Sequence, residues 1–353
     1  MNLSFAKSRD LLKRVLGVSL SVRTLEHMNR ANAKDAEEYQ DVGPAPRQVK
    51  GNQIHALTAD GKGVPMRREE GEEPVEGRRK KGEKANKKRE ACVGGSYLID
   101  PYERTPEEVL GDLEGQGDRK ERPRPQDKRI HGELSQEGRT GKEATFEWLK
   151  EMKEQRDPEG KCPVVCVMDG SMGLWKQVKE KFPGVVKILD IFHVSERVWV
   201  AAHTFHPEGS EEAANFAREK LLGILRGKAG RVVGGIRQMA TKRGIRGAKR
   251  KRLEGALKYL EKNKEYMKYD EYLAKGYPIG SGVVEGACRN LVKDRFELTG
   301  MSWTREGAQA MLRMRAISIN GDWKEFQGFR REKVLRNLHP HRERFVENWP
   351  LAA

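Results

Sequence analysis

The sequence predicts an α/β protein built on a mixed five-stranded sheet, with an all-α insertion and helices at the N-terminus. Three observations lead there. Residues 164–193 read V-V-C-V-M-D-G, then a helix-like run, then V-V-K-I-L-D-I-F-H. Apolar runs of this length, rich in Val and Ile and bounded by Gly or Pro, fit strands buried on both faces. Three shorter strand-like segments precede them, and residues 207–275 carry no strand signal at all.

Residues 1–39 are predicted helical. Leu11, Leu12, Val15 and Leu16 form one stripe, Gly17 breaks it, and Ser19 or Ser21 caps a second helix carrying Val22, Leu25 and Met28. Such a pair fits a helix-turn-helix, or equally two amphipathic helices packed on a core. Residues 40–51 are polar with two prolines and read as a linker. Ile54 to Ala59 is strand-like and ends in Asp60; Gly61-Lys62-Gly63 reads as a turn and Val64 to Arg67 as a returning strand. Ala91 to Ile99 is the third strand. The charged stretches 69–90 and 115–139 on either side read as disordered basic loops.

Thr105-Pro106-Glu107-Glu108 starts a helix with Pro in its first turn. Glu143 to Arg156 is a helix with Phe146, Leu149 and Met152 in phase. The fourth strand ends on Asp169. A helix with Met172, Trp175 and Val178 on one face stops at Pro183-Gly184, and the fifth strand ends on Asp190. Val194 to Phe205 continues as a helix. Three or four amphipathic helices follow, including Glu211 to Leu225 and Leu253 to Leu273. Residues 276–282 form a breaker-rich turn before helices at Val283 to Arg295 and Trp303 to Ile319. The chain then divides into an N-terminal segment (1–39), the first part of a core (52–206), the helical insertion (207–276), the rest of the core (277–330) and a charged tail (331–353). Three antiparallel strands followed by two parallel ones make a ribonuclease-H-like order. Placing the first and fourth strands side by side brings Asp60 and Asp169 together.

The 353 residues carry 69 Lys and Arg against 53 Asp and Glu, a net charge of +16, and the mean hydropathy is −0.81. The excess is clustered. Arg78 to Arg89 holds eight basic residues and one acid, and Lys242 to Arg252 seven basic and none acidic. A polyanionic partner accounts for such clusters; solvated tails are the plainer alternative. Four cysteines are sparse and fit a reducing compartment. No apolar run approaches the ~18 residues of a membrane span, and the first residues make no signal peptide. The expectation is a cytoplasmic protein with no membrane partner.

Asp60, Asp169 and Glu285, the last in the first turn after Gly280-Ser281-Gly282, stand out by position. Hard divalent cations take carboxylate oxygens, and two such ions roughly 3.5–4 Å apart stabilise the attacking and leaving oxygens of phosphoryl transfer. Singly, each acid also fits an ordinary turn or cap. His193 either orients water or a phosphate at the site or fixes a loop by hydrogen bonding. Glu285, Arg289 and Lys293 repeat every four residues, as a DNA-facing face or as a plain ion pair. Trp303 packs beneath that helix or stacks a base. Cys162 with Cys166, and His203 with His206, lack the partners of a zinc site.

The segments T-A-D-G-K-G-V-P-M-R-R (58–68), V-M-D-G (167–170), I-L-D-I-F-H-V (188–194), Y-P-I-G-S-G-V-V-E-G-A-C-R (277–289), L-V-K-D-R (291–295) and G-M-S-W-T-R-E-G-A-Q-A-M-L (300–312) resemble bacterial insertion-sequence transposases of the ISKra type. The resemblance spans residues 1–330. It implies a DDE-type DNA transposase with a ribonuclease-H-like core and two Mg²⁺ (or Mn²⁺) ions held by Asp60, Asp169 and Glu285. Asp190 and His193 match the D-x-x-H motif of related superfamilies and are expected behind the ligands. Lys62, Arg67, Arg68, Lys242, Arg243, Arg246, Lys249, Arg250, Lys251, Arg252, Arg289, Lys293 and Arg295 are the expected contacts to double-stranded DNA, both transposon ends and target. A homo-oligomer would hold two ends, and the bacterial nucleoid would be its location. Family members carry a longer N-terminal region, so the resemblance also implies an N-terminally truncated copy. Two alternatives stay open: a non-catalytic DNA-binding transposase relic, and a ribonuclease-H-like nuclease selective for branched DNA.

Overall fold

The computed structural model describes residues 3–67, 88–115, 121–136, 138–298 and 301–338. Five strands, β1 (Ile54–Pro65), β2 (Lys88–Ile99), β3 (Gln126–Leu134), β4 (Val164–Met168) and β5 (Val186–Leu189), form one sheet in the order β3-β2-β1-β4-β5. The first three pair antiparallel, while β4 runs parallel to β1 and to β5. This is the ribonuclease-H-like arrangement. The period-2 alternation of β2 sorts its side chains between the two faces: Cys92 joins one core cluster, Ala91 and Val93 the other.

Two features of the sheet differ from the sequence expectation. No turn interrupts β1. The strand runs straight through Gly61 and Gly63 and stays paired with β2 over its whole length. The glycines lie under side chains of β2: a Cβ at Gly61 would displace the tip of Glu90, and one at Gly63 would meet Lys88 Cδ at 2.9 Å and Cβ at 3.2 Å. The third strand lies instead inside 115–139, which charge content marks as disordered. Gln126–Leu134 has only Ile130 and Leu134 as apolar anchors, but its polar side chains are partnered. His131 stacks on Trp148 at 5.1 Å between ring centres, and Arg313 reaches Glu133 at 3.5 Å. Of the loop 69–90, only the last three residues are described, and they belong to β2.

Side chains occupy part of the edge of both outer strands. On β3, Leu134 N–H donates to Gln309 Oε1 (2.9 Å) and Ile130 N–H to Asn320 Oδ1 (2.8 Å). On β5, the carbonyls of Leu189 and Lys187 accept from the hydroxyls of Tyr269 (2.6 Å) and Tyr272 (3.0 Å).

Helices fill the remaining layers. At the N-terminus, α1 (Phe5–Leu16) is followed by α2 (Val22–Val42), which extends into residues expected to be linker. α3 (Pro106–Leu113) and α4 (Gly141–Arg156) each begin with a reciprocal cap, Thr105 with Glu108 and Thr140 with Glu143. α5 (Met172–Lys181) and α6 (Ile191–Phe205) follow β4 and β5. The segment 207–276 holds α7 (Glu211–Leu225), α8 (Ala229–Lys242), α9 (Gly247–Lys262) and α10 (Tyr269–Ala274). The helix expected at 253–273 is thus two, parted where Asn263 turns its side-chain amide back onto the Tyr259 carbonyl at 2.9 Å.

α11 (Gly282–Ala287) passes into a π-helical stretch, Cys288–Lys293, and then α12 (Asp294–Phe296). The carbonyls of Asn290 and Leu291 in that stretch accept from the buried Arg315 guanidinium of α13 (Arg305–Asn320). Arg315 thus supplies donors to two carbonyls within the π-helical stretch. α14 (Trp323–Leu338) ends the described chain. α2 packs on α13 and α14 through Ala33, Ala36, Tyr39, Met314, Ile317 and Phe326. Arg313 pairs with Glu37 at 2.7 Å, and Lys333 with Asp35 at 2.9 Å. Of the stretch expected as a charged tail, residues 331–338 are therefore helical, tied to α2 through Lys333.

Candidate active site

Asp60 does not end β1. It is the first residue past the parallel ladder, whose last pair is Ala59 with Met168. Asp60 and Asp169 are the residues that follow this last pair, so the two lie side by side where β4 stops, and the Asp60 charge acts on Asp169. The Lys62 ammonium, two residues along β1 and so on the same face, sits 2.7 Å from Asp60 Oδ2. Burial works against the Lys62 charge, but its bond to Asp60 holds the pKa above the ordinary lysine value. The buried Cys288 thiol also lies against Asp60; burial first, and the carboxylate second, push it up.

Asp169 is half-buried and its Oδ1 accepts from Ser171 N–H at 2.9 Å. Burial raises its pKa, the Ser171 bond opposes that, and the Asp60 charge raises it further. Glu285 stands exposed on α11. Its pKa is also raised, by burial of the carboxyl against its surroundings and then by Asp190 and Asp60, with His193 and Lys62 opposing. The His193 ring thus acts on Asp169, Asp190 and Glu285 alike. Its Nδ1 is 3.4 Å from Glu196 Oε2.

Asp190 is wholly buried and works as a clamp. It caps α6 by accepting from Phe192 N–H at 2.9 Å, and its other oxygen accepts from the Ser281 hydroxyl. Beside it, Ile191 N–H donates to the Ile279 carbonyl at 3.0 Å, and the Ser281 carbonyl accepts from Glu285 N–H at 3.1 Å. The end of β5 therefore fixes the loop from which the Glu285 helix springs. Burial raises the Asp190 pKa, and the Ser281 bond pulls it back. Ser281→Ala leaves one buried carboxylate oxygen unpaired and is expected to cost about 1–3 kcal/mol, read as a lower urea midpoint at unchanged slope.

The donor set is chemically right for a hard divalent cation: carboxylate oxygens, two of them on neighbouring strands, that repel one another until a positive charge intervenes. Lys62 supplies that charge on Asp60. Among the described residues no three His, Cys, Asp or Glu side chains converge closely enough to hold an ion together. Glu285 shares the electrostatic neighbourhood of the two aspartates without closing on them.

The expected DNA contacts divide. Lys242, Arg243, Arg246, Lys249, Lys251 and Arg252 are exposed across the end of α8 and the start of α9. Arg250 pairs with Glu254 at 3.0 Å. Arg67, Arg289 and Lys293 are exposed, while Lys62 is committed to Asp60. Arg68 lies outside the described residues. Arg295 is a correction. It is 1% exposed, its guanidinium sits 4.7 Å from the Trp303 ring centre and 5.0 Å from that of Phe5, and burial lowers its pKa to about 10. It lies four residues past the core residue Leu291, on the same inward face. Arg289 pairs at 4.0 Å with Asp294, five residues on, rather than with Glu285; the π-helical winding sets that spacing. Trp303 is 8% exposed and packs on Phe296 at 4.7 Å, so it offers no face to a base.

Sequence reasoning missed three side chains here. Ser281 was visible only as part of a breaker-rich turn. Tyr259 and Arg197 sit on amphipathic helices with no local signal. The Tyr259 hydroxyl accepts from Gly170 N–H at 3.0 Å, next to Asp169, and its ring carries the Arg197 guanidinium at 4.7 Å. Gly170 has no room for a side chain against that ring.

Among the described residues no helix is long and apolar enough to cross a membrane. No family model matches the chain, and no curated protein matches it. Among solved structures, the Drosophila P element transposase strand transfer complex is similar at 10% identity and a TM-score of 0.21, over 78% of this chain. The match spans 66% of that chain's length.

Proposed function

We propose that the chain is a DDE-type DNA transposase of the ISKra insertion-sequence type, cutting transposon ends and joining them to target DNA. The observation that carries the reading is the register of β1 on β4, which makes Asp60 and Asp169 neighbours at the end of the parallel ladder, with the Glu285 helix clamped beside them by Asp190. The sequence resemblance at 58–68, 167–170 and 277–289 supplies the reaction type.

Asp60, Asp169 and Glu285 would hold two Mg²⁺ or Mn²⁺ ions. When bound, such ions lower the pKa of water and neutralise charge on a phosphodiester in flight. The protein's own part is positional. Lys62 offsets the Asp60 charge through its ion pair, and would have to give it up for a cation to enter. Asp190 and Ser281 fix the approach of Glu285. The exposed basic residues from Lys242 to Arg252 hold backbone phosphates, so binding should weaken steeply with salt. Two DNA ends call for two or more copies.

The Lys62–Asp60 pair favours a second reading, a DNA-binding relic in which the lysine has replaced the metal for good. One experiment separates the two. Mn²⁺ is titrated calorimetrically into the full chain, and duplexes carrying the inverted repeats that flank its gene are assayed for nicking and strand transfer. Saturable Mn²⁺ binding with nicks bearing 3′-hydroxyls supports the transposase. DNA binding without either is the relic's result. Cleavage of branched DNA without strand transfer would identify a structure-selective nuclease.

A further inference from the structure

The acid-rich face poses an electrostatic problem for a nucleic-acid substrate. Asp60 and Asp169 adjoin there, the Asp190 and Asp60 charges also act on Glu285 nearby, and a phosphodiester approaching them brings more negative charge. Lys62 is spent on Asp60. The Lys142 charge also acts on Asp169, but Lys142 pairs with Glu90 at 2.9 Å; Arg197 is a second nearby cation. Arg197 lies one turn beyond His193 on α6, on the same helix face. Its guanidinium lies over the Tyr259 ring at 4.7 Å, and that phenol's oxygen is bonded to Gly170, the residue after Asp169.

Arg197 has an unusual status. The Asp169 and Asp190 charges both act on the Tyr259 hydroxyl, as does Arg197, yet Arg197 forms no ion pair or hydrogen bond among the described residues, and its buried Nε has no partner. An arginine beside carboxylates ordinarily pairs with one of them. Here the ring face holds the planar group by cation–π attraction and leaves its donors uncommitted. Burial pushes the Tyr259 phenol up to about 12, so it stays neutral at physiological pH and does not compete for the guanidinium.

We propose that Arg197, held flat on Tyr259, binds a backbone phosphate of the DNA strand that enters the carboxylate site. This rests on the reading of that site as one acting on DNA. A guanidinium matches two phosphate oxygens at once, and the contact brings the strand to Asp169 against the repulsion of the acids. Arg197 is a substrate-binding residue, and Tyr259 is the residue that positions it. The alternative is that the pair merely packs α6 on α9.

The test measures binding of the full chain to a 30-base-pair duplex across a salt series, for wild type, Arg197→Ala, Arg197→Lys and Tyr259→Leu, with thermal midpoints as a fold check. Loss of one phosphate contact lowers the slope of log K against log salt by about 1, and Arg197→Ala should bind about tenfold more weakly at low salt. Arg197→Lys should keep the slope and lose part of the affinity. Tyr259→Leu should behave like Arg197→Lys, since it keeps the charge and loses the platform. An unaltered slope in Arg197→Ala, with wild-type binding intact, overturns the phosphate contact and leaves the parent reading standing. A wild-type chain that binds no duplex overturns both. If Arg197→Ala fails to fold, the Arg197→Lys and Tyr259→Leu arms decide: affinity equal to wild type in both overturns the proposal.

Discussion

Asp169→Asn is expected to abolish divalent-cation-dependent nicking while leaving the chain slightly more stable. The amide keeps the Ser171 bond through its own oxygen but removes a charge that burial and Asp60 both oppose. Activity and stability should therefore move in opposite directions, which a variant that simply unfolds cannot do. The gain in stability is about 1 kcal/mol or less, within the ordinary range for one substitution, and is read as a rise in thermal midpoint. Its pH dependence has a definite sign. Asp169 and Asp190 are held above the ordinary 3.8, and Glu285 above 4.5. A carboxyl whose folded pKa is raised contributes stability below its unfolded value and loses it as pH climbs through the folded value. These groups therefore destabilise the metal-free protein as pH rises out of the ordinary carboxylate range toward neutrality, and Asp169→Asn should flatten part of that fall. A midpoint that drops in Asp169→Asn, or nicking that survives it, would contradict this account of the site.

Arg156→Met is expected to cost the most stability of any single change considered. The side chain is wholly buried at the end of α4. It donates to Ser96 Oγ at 3.0 Å, to Asp127 Oδ2 at 2.9 Å, to the Asp127 carbonyl at 2.6 Å and to the Arg47 carbonyl at 3.1 Å. One guanidinium thus joins α4, β2, β3 and the segment before β1. Asp127 is the only non-glycine with positive φ (43°) among the described residues, so the backbone it steadies is itself unfavourable. Burial lowers the Arg156 pKa and Asp127 opposes this; the pair holds together only while both partners are present. Removing Arg156 leaves Ser96 and the Asp127 and Arg47 carbonyls without that donor and leaves Asp127 only the Arg47 N–H (2.7 Å) and the Arg129 guanidinium at 3.5 Å, a loss of about 3–5 kcal/mol against a typical total of 5–15 kcal/mol. The urea midpoint measures it. Asp127→Asn added to Arg156→Met should cost less than the two single changes summed, because the Arg156–Asp127 ion pair is lost only once. Ser96 lies three residues along β2 from Val93, the partner of Asp60, or about 10 Å. The molecules that remain folded should keep their activity.

Much of this fold could be read because its centre is written in long apolar runs. β4 and β5 are buried on both faces, so V-V-C-V-M and V-K-I-L leave little choice. β3 could not be read. A strand that meets its needs through ion pairs and a stacked histidine has the composition of a loop, and its anchors Arg313, Gln309 and Asn320 lie some 175 to 190 residues away. The two glycines of β1 misled for a related reason. They permit close cross-strand contact as readily as a turn, and only the partner strand decides between the two. At the site, Asp60 and Asp169 were legible because strand order alone brings them together. Arg295 was not, because its placement depends on a π-helical stretch bonded by Arg315 from another helix. Tyr259 and Arg197 acquire meaning only when α9 docks on the loop after Asp169.

The capping of both outer strands has a bearing on assembly. A bare strand edge offers a second molecule a ready row of backbone partners. Here Gln309 and Asn320 occupy part of one such row, and two tyrosines part of the other. Two copies brought together on two DNA ends would then find those edges partly filled, with helical surfaces and the nucleic acid itself left to join them. An assembly of the second kind forms when DNA is added and falls apart when it is removed, so the polymer to be joined would also act as the scaffold that recruits its own joiners.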